Sequence, residues 1–137
     1  MPLISLCATN YNTDPVALRS LESVLPWSDG LDREVVIVDN FSNDGSYEAL
    51  ASYSAPVPMR LARRRCSRGT GRQLAYEMAQ GDLIVIFDLD TVYNEKWGQL
   101  LRWVVTNRIP FMLDAVYSHF YPRGVLEQVG GWRNFYC

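Results

Sequence analysis

Apolar runs of strand length alternate with amphipathic segments along this chain. Apolar runs typical of buried strands occupy residues 3–8, broken only by Ser5, and residues 35–38 and 83–87, and a weaker strand candidate covers 59–62. Between them, apolar residues recur at helical spacing and predict helices at 15–25, 47–53, 73–80 and 95–109. Residues 111–121 predict one or two further strands, and residues 125–129 a short helical turn.

Residues typical of helix ends support these limits. Asp14 is a candidate N-cap followed by Pro15 at the first helical position, and Pro26 is expected to end that helix. Asn94 is a candidate N-cap for a helix that ends before Pro110. The resulting order is βαβαβαβα followed by β. It predicts an α/β fold of Rossmann-like type, with a mainly parallel sheet flanked by helices.

Composition is that of one folded domain. The 137 residues are 48% hydrophobic and 20% charged, and they contain no repeat, linker or low-complexity segment. We therefore expect residues 1–137 to form a single domain. The net charge is -2, so general binding to nucleic acid is not expected. Residues 60–72 nevertheless carry six Arg and no acidic residue, which leaves a local anionic ligand open.

The cysteines and the N-terminus bear on location. Cys7, Cys66 and Cys137 are isolated and lack C-x-x-C spacing, which favours a reduced, cytoplasmic chain without a zinc site. The first residues lack the basic segment of a secretory signal. No apolar run approaches the roughly 20 residues of a membrane span, although membrane association of a longer parent enzyme stays open.

Three polar clusters follow predicted strands. They are residues 9–12, residues 39–45 and the Asp88-Leu89-Asp90 segment. Any one of them is compatible with ordinary turn chemistry. Because open α/β sheets bind ligands beyond the carboxyl ends of their strands, three clusters at that edge predict a binding site.

Asp88 and Asp90 are candidate metal ligands. Their spacing places both carboxylates on one side of an extended backbone. Two carboxylates held close together resist joint ionisation unless a cation is near. Oxygen ligands of this kind suit Mg²⁺ or Mn²⁺. The alternative is a pair of loop carboxylates with no ligand.

The segment 86–92 resembles the nucleophile motif of haloacid-dehalogenase-type phosphatases, in which the first Asp attacks a phosphoryl group and the second is a general acid. That family also needs a later Lys and an acidic pair. Lys96 is the only Lys in this chain, and no such pair follows. The phosphatase interpretation is therefore the weaker alternative.

Four segments, in order and at compatible spacing, resemble family 2 glycosyltransferases, which have the GT-A fold and use nucleotide sugars. They are residues 4–12, 35–46, 71–84 and 121–132. The second contains Val38-Asp39-Asn40 and Asp44-Gly45-Ser46, and the last contains Val129-Gly130-Gly131-Trp132. A non-catalytic nucleotide-binding module is a second alternative.

The resemblance implies a role for each residue of the strand-end clusters. The stretch around Thr9, Asn10 and Tyr11 would hold the base and ribose, with Tyr11 as a stacking face. Asp39 would accept a hydrogen bond from the base.

Further residues would serve the diphosphate and the metal. Arg72 would face the diphosphate, with Arg68 assisting. Asp88 would contact the ribose or the metal, and Asp90 would be the principal ligand of Mn²⁺ or Mg²⁺. The metal would neutralise the leaving nucleoside diphosphate. The acceptor is unknown.

The resemblance also implies a catalytic base in an acidic pair soon after the Gly130-Gly131 element, and the chain stops at Cys137 without one. We therefore expect a chain truncated before its acceptor and base segment, and we assign no catalytic residue. Asp114, inside an apolar run, is a weak candidate base. His119 is a candidate metal ligand, or more simply a packed strand residue. Trp97 and Trp103 are expected in the core.

Overall fold

A computed structural model describes residues 2–115 and 117–132. Within those residues there are six strands: β1 (Ile4–Asn10), β2 (Arg33–Asp39), β3 (Met59–Arg63), β4 (Leu83–Phe87), β5 (Leu113–Ala115) and β6 (Ser118–Pro122). Five helices connect or follow them: α1 (Ala17–Trp27), α2 (Ser46–Ala51), α3 (Arg68–Met78), α4 (Glu95–Asn107) and α5 (Arg123–Val129). Every helix of this described part is too short or too polar to cross a bilayer.

All six strands form one sheet in the order β3-β2-β1-β4-β6-β5. The pairs β3-β2, β2-β1 and β1-β4 are parallel, whereas β6 runs antiparallel to both β4 and β5. The predicted α/β fold with a mainly parallel sheet is confirmed. The parallel part places the carboxyl ends of β1, β2 and β4 at one edge.

Two apolar layers hold the helices on the sheet. Side chains alternate between the faces of a strand, so Val85 and Phe87 of β4 pack with α1 and α4, while Ile84 and Ile86 pack with α3. On β1, Leu6 and Cys7 divide between the faces in the same way. Because both faces are covered, the central strands are almost wholly apolar, which is why their positions were predictable.

Three helix ends differ from the prediction. The helix α1 begins at Ala17 with Val16 at the cap position, and Asp14 does not cap it. Pro26 lies inside the last turn of α1 rather than after it. The helix α3 begins at Arg68, five residues before its predicted start, because the Ser67 hydroxyl accepts the Thr70 N–H at 3.1 Å and caps it.

Candidate functional site

A polar cavity of about 700 Å³ lies at the carboxyl ends of β1 and β4. Eight residues were predicted to bind a nucleotide sugar or its metal. Six of them line this cavity: Thr9, Asn10, Tyr11, Arg68, Asp88 and Asp90. The structure therefore brings three predicted clusters, far apart in sequence, around one space. Asp39 and Arg72 are the two that do not line it.

The end of β1 supplies the first wall of the cavity. Tyr11 is 61% exposed, so the face of its ring is open to a ligand. Asn10 is fully buried, and its side chain instead donates to Asp39 Oδ1 at 2.8 Å. Asn12 adopts a left-handed φ of 51°, and its N–H donates to Ser42 Oγ at 3.0 Å. The loop after β1 is thus fixed to the loop after β2.

Asp39 differs from the expectation that its carboxylate faces a base. It is fully buried, and both oxygens have partners within the chain. Oδ1 accepts from Asn10 and from the Ser42 hydroxyl at 2.6 Å. Oδ2 accepts the Ser42 N–H at 3.1 Å and lies 3.2 Å from Arg63 Nε. The carboxylate ties the ends of β1, β2 and β3 together, and its predicted contact with a base stays a prediction.

Asn40, the next residue, reaches the cavity in its place. Its Oδ1 accepts the Cys66 N–H at 3.1 Å, which links the end of β2 to the segment before α3. Sequence reasoning placed Asn40 in the polar cluster but gave it no role. Alternation along the chain indicates that Asp39 and Asn40 face opposite sides, but it does not show which of them reaches the cavity.

The N-terminal end of α3 forms another wall. Ser67 and Arg68 line the cavity there. A Cβ atom at Gly71 would lie 2.7 Å from Thr9 Cγ2, so only glycine permits this close approach of α3 to β1. The first amides of a helix and its dipole favour anions. Together with the Arg68 guanidinium, this end of α3 suits a phosphate.

Arg72 stands one turn further along α3, beside Asp88. Its Nη2 is 3.8 Å from Asp88 Oδ1, which is within ion-pair range but too long for a hydrogen bond. Burial raises the pKa of Asp88 above its ordinary value, Arg72 opposes the rise, and Asp90 adds to it. Asp88 is therefore a half-buried carboxylate whose charge is disfavoured mainly by burial and favoured by Arg72.

The backbone of Asp88 is held by two residues that sequence reasoning missed. Ser20 of α1 donates its hydroxyl to the Asp88 carbonyl at 2.7 Å, and Tyr93 Oη accepts the Asp88 N–H at 2.7 Å. Tyr93 in turn donates to the Tyr117 carbonyl. Tyr93 packs edge-on against Phe87, at 6.3 Å between ring centroids. These contacts fix the Asp88-Asp90 loop against the core.

The structure also places the four residues with weaker predictions. Asp114 of β5 has a side chain that is 67% exposed, although its neighbours in sequence are apolar. His119 of β6 is mostly buried, at 24% exposure. Trp97 is in the core as expected, but the prediction for Trp103 is wrong, because it is 50% exposed on α4. Cys137 lies outside the described residues.

Comparison with known proteins decides the family. The sequence profile of Glycosyl transferase family 2 matches residues 5–135. This chain belongs to glycosyl transferase family 2. It is also 33% identical over 82 residues to the uncharacterized glycosyltransferase YfnE of Bacillus subtilis (strain 168), a match that covers 58% of this chain and 21% of that protein. The phosphatase interpretation of Asp88-Leu89-Asp90 is therefore set aside.

Solved structures agree on the fold. The mannosyltransferase PcManGT from Pyrobaculum calidifontis, in complex with GDP-Man and Mn²⁺, is 19% identical with a TM-score of 0.80, over 97% of this chain and 48% of that one. S. aureus TarS 1-349 in complex with UDP-GlcNAc is 15% identical with a TM-score of 0.73, over 94% of this chain and 48% of that one. This family 2 chain thus spans about half the length of these structures. The predicted GT-A fold is confirmed.

Proposed function

We propose that the cavity at the carboxyl edge binds a nucleoside-diphosphate sugar, and that this chain belongs to an enzyme transferring the sugar to an acceptor hydroxyl. The observation that carries the proposal is the pairing of two unlike groups across one cavity. An anion-favouring helix end with Arg68 faces the Asp88-Asp90 carboxylates. A diphosphate accompanied by a divalent cation satisfies both groups at once.

The donor set fits such a cation. Asp88 and Asp90 both line the cavity, where their carboxylate oxygens are available to a cation. The described residues contain no cluster of three or more His, Cys, Asp or Glu side chains that could hold a metal ion by itself. Mg²⁺ and Mn²⁺ are commonly held by one or two carboxylates together with substrate phosphates. When bound, the cation would neutralise charge on the leaving diphosphate.

Other residues at the cavity bind the remaining parts of the donor, which are the base and the phosphates. Tyr11 offers its exposed ring to the base, beside Thr9 and Asn40. Arg68 and the first amides of α3 bind phosphate oxygens, and Arg72 keeps positive charge next to Asp88. This arrangement orders the donor along the sheet edge, with the base near β1 and β2 and the diphosphate between β1 and β4.

The transfer step follows the inverting members of the family in this proposal. An acceptor hydroxyl attacks the anomeric carbon from the side opposite the diphosphate, the bond from that carbon to the phosphate oxygen breaks, and a base takes the hydroxyl proton. We assign that base to no described residue, and the acceptor stays open.

A thermal-shift panel tests the proposal. UDP, GDP, UDP-GlcNAc and GDP-mannose are each added with Mn²⁺ or with EDTA, because a ligand that binds only the folded state raises Tm. The GDP-Man and UDP-GlcNAc held by the two neighbours make these the first ligands to try. A shift that requires Mn²⁺ supports the proposal. Equal shifts with and without metal favour a nucleotide-binding module, and no shift with any nucleotide contradicts the proposal.

A further inference from the structure

The β5–β6 hairpin lies beside the cavity, which Tyr117 lines just before β6, and it carries polar side chains that the donor residues above leave unused. In β6, Ser118 and Phe120 turn toward α4 and the larger core layer, while His119 and Tyr121 turn toward α3. His119 pairs with Ile86 of β4 in the antiparallel register. Asp88 is two residues beyond Ile86 and faces the same side, so His119 lies diagonally next to it.

His119 is held in one orientation from two directions. Asp114 lies directly opposite it across β5 and β6, with Asp114 Oδ1 2.8 Å from His119 Nδ1. Tyr121 stacks on the imidazole ring at 5.7 Å between centroids and 16° between planes, and it donates its hydroxyl to Asp114. Trp132 packs on the other side of Tyr121, at 5.6 Å. Few rotamers remain for the imidazole.

Asp114 also selects the tautomer of His119. Nδ1 is buried, and its N–H is not aligned for a linear hydrogen bond to the carboxylate. In the neutral ring the proton belongs on Nδ1, because two lone pairs facing each other at 2.8 Å would repel. Nε2 is then an acceptor, and none of the described residues donates to it. The site presents one fixed hydrogen-bond acceptor.

The order of the strands indicates which part of the donor would lie next to Nε2 of His119. Along the edge, the proposed base site lies at β1 and β2, and the diphosphate site lies at β1, α3 and β4. The next strand in the sheet is β6. The charged groups that interact with His119 are Asp114 on β5 and Asp88 after β4, and Asp88 in turn interacts with Asp90 and with Arg68 and Arg72 on α3. A donor extended along this edge places its sugar beside His119.

We propose that His119 recognises the transferred sugar by accepting a hydrogen bond from one of its hydroxyls at Nε2, with Asp114 and Tyr121 as positioning residues. This inference rests on the proposed function. It makes the hairpin the part of the chain that distinguishes sugars, whereas β1, β2 and α3 recognise the nucleoside diphosphate.

Calorimetry on the 137-residue chain with Mn²⁺ tests it, using a nucleoside diphosphate and its sugar conjugate as a pair: UDP with UDP-GlcNAc, and GDP with GDP-mannose. His119→Phe keeps the ring and its stacking on Tyr121 but removes the acceptor. We expect about a fivefold loss of affinity for the sugar conjugate, the size of one ordinary hydrogen bond, with affinity for the diphosphate unchanged. His119→Gln, which restores an acceptor oxygen, should recover part of the loss.

A purely structural role would change both ligands of a pair alike. Equal losses for diphosphate and conjugate in His119→Phe, or no loss in either, overturn the inference while leaving the proposed function intact. Absence of binding by the unmodified chain to every ligand removes the proposed function and the inference together. Far-UV circular dichroism checks folding. If His119→Phe does not fold, the affinities for the diphosphate and for its sugar conjugate are compared in His119→Gln and Asp114→Ala instead. Asp114→Ala should weaken the sugar conjugate alone.

Discussion

Replacing Asp39 by Ala should destabilise the fold markedly. The Asp39 carboxylate is fully buried and joins three strand ends, through Asn10 on β1, Ser42 after β2 and Arg63 on β3. An alanine side chain would leave the Ser42 N–H and one Asn10 donor without their present acceptors. It would also leave Arg63 without its carboxylate partner.

The size of the loss follows from the burial of these groups. Removing one partner of a buried ion pair costs about 3–5 kcal/mol. Arg63 is 30% exposed and also lies over the Phe41 and Tyr47 rings, so water and those rings compensate in part. We therefore expect about 3 kcal/mol, out of a total stability on the order of 5–15 kcal/mol. For a domain of this size that corresponds to a fall in Tm of roughly 10–15 °C.

Thermal and urea denaturation followed by circular dichroism measure this loss. Asp39→Asn should lie between wild type and Asp39→Ala, because its carbonyl still accepts from Asn10 while its amide meets donors. Asp32→Ala is the matched control, since Asp32 is an exposed carboxylate just before the other end of β2. A Tm for Asp39→Ala within about 2 °C of the control would refute the assignment of Asp39 as a structural carboxylate.

Two further predictions concern carboxylates with different surroundings. Asp90→Asn should remove most of the Mn²⁺-dependent part of the nucleotide affinity without changing Tm in the absence of ligand, because Asp90 is exposed at the cavity; calorimetry with and without EDTA measures this, and an unchanged metal dependence would contradict it. Burial raises the pKa of Glu34, but hydrogen bonds from the Gln80 N–H, Ser5 and Arg60 outweigh burial, so the pKa lies below its ordinary value of 4.5. Its stabilisation is therefore present above about pH 5 and is lost as the pH falls through the lowered pKa. Glu34→Gln should be less stable than wild type by about 2 kcal/mol at pH 7, and the difference should shrink toward pH 3; a gap that does not depend on pH would contradict this origin.

The strands at the centre of the fold were predictable because burial on both faces requires uninterrupted apolar residues. The limits of β4, residues 83–87, were predicted correctly, since polar or small residues flank five apolar ones. The Asn94 cap was also predicted correctly, because its side chain accepts from the first amides of α4. The start of α3 was not, because Gly69 and Gly71 are poor helix formers and only tertiary packing against Thr9 explains Gly71.

The location of the candidate site was predictable from the strand ends, but the role of each residue within it was not. Asp39 and Asn40 are adjacent polar residues, and no local signal shows which of them has a buried partner. That outcome depends on Arg63 and Asn10, which lie 24 and 29 residues away in sequence. The contact between Asp114 and His119 was not predicted for the same reason, since the two side chains meet only when β5 pairs with β6.

The direction of β6 has a consequence for how such a chain can diversify. The parallel strands are joined by helices whose apolar faces pack on the sheet, so changes to those connections disturb the core. The antiparallel β6 instead begins at the cavity edge, directly after the exposed Tyr117. Exposed positions of this kind tolerate substitutions and insertions at small cost in loop entropy. On the role proposed for His119, changes near the start of β6 would alter the selection of the sugar while the proposed nucleotide site stays the same.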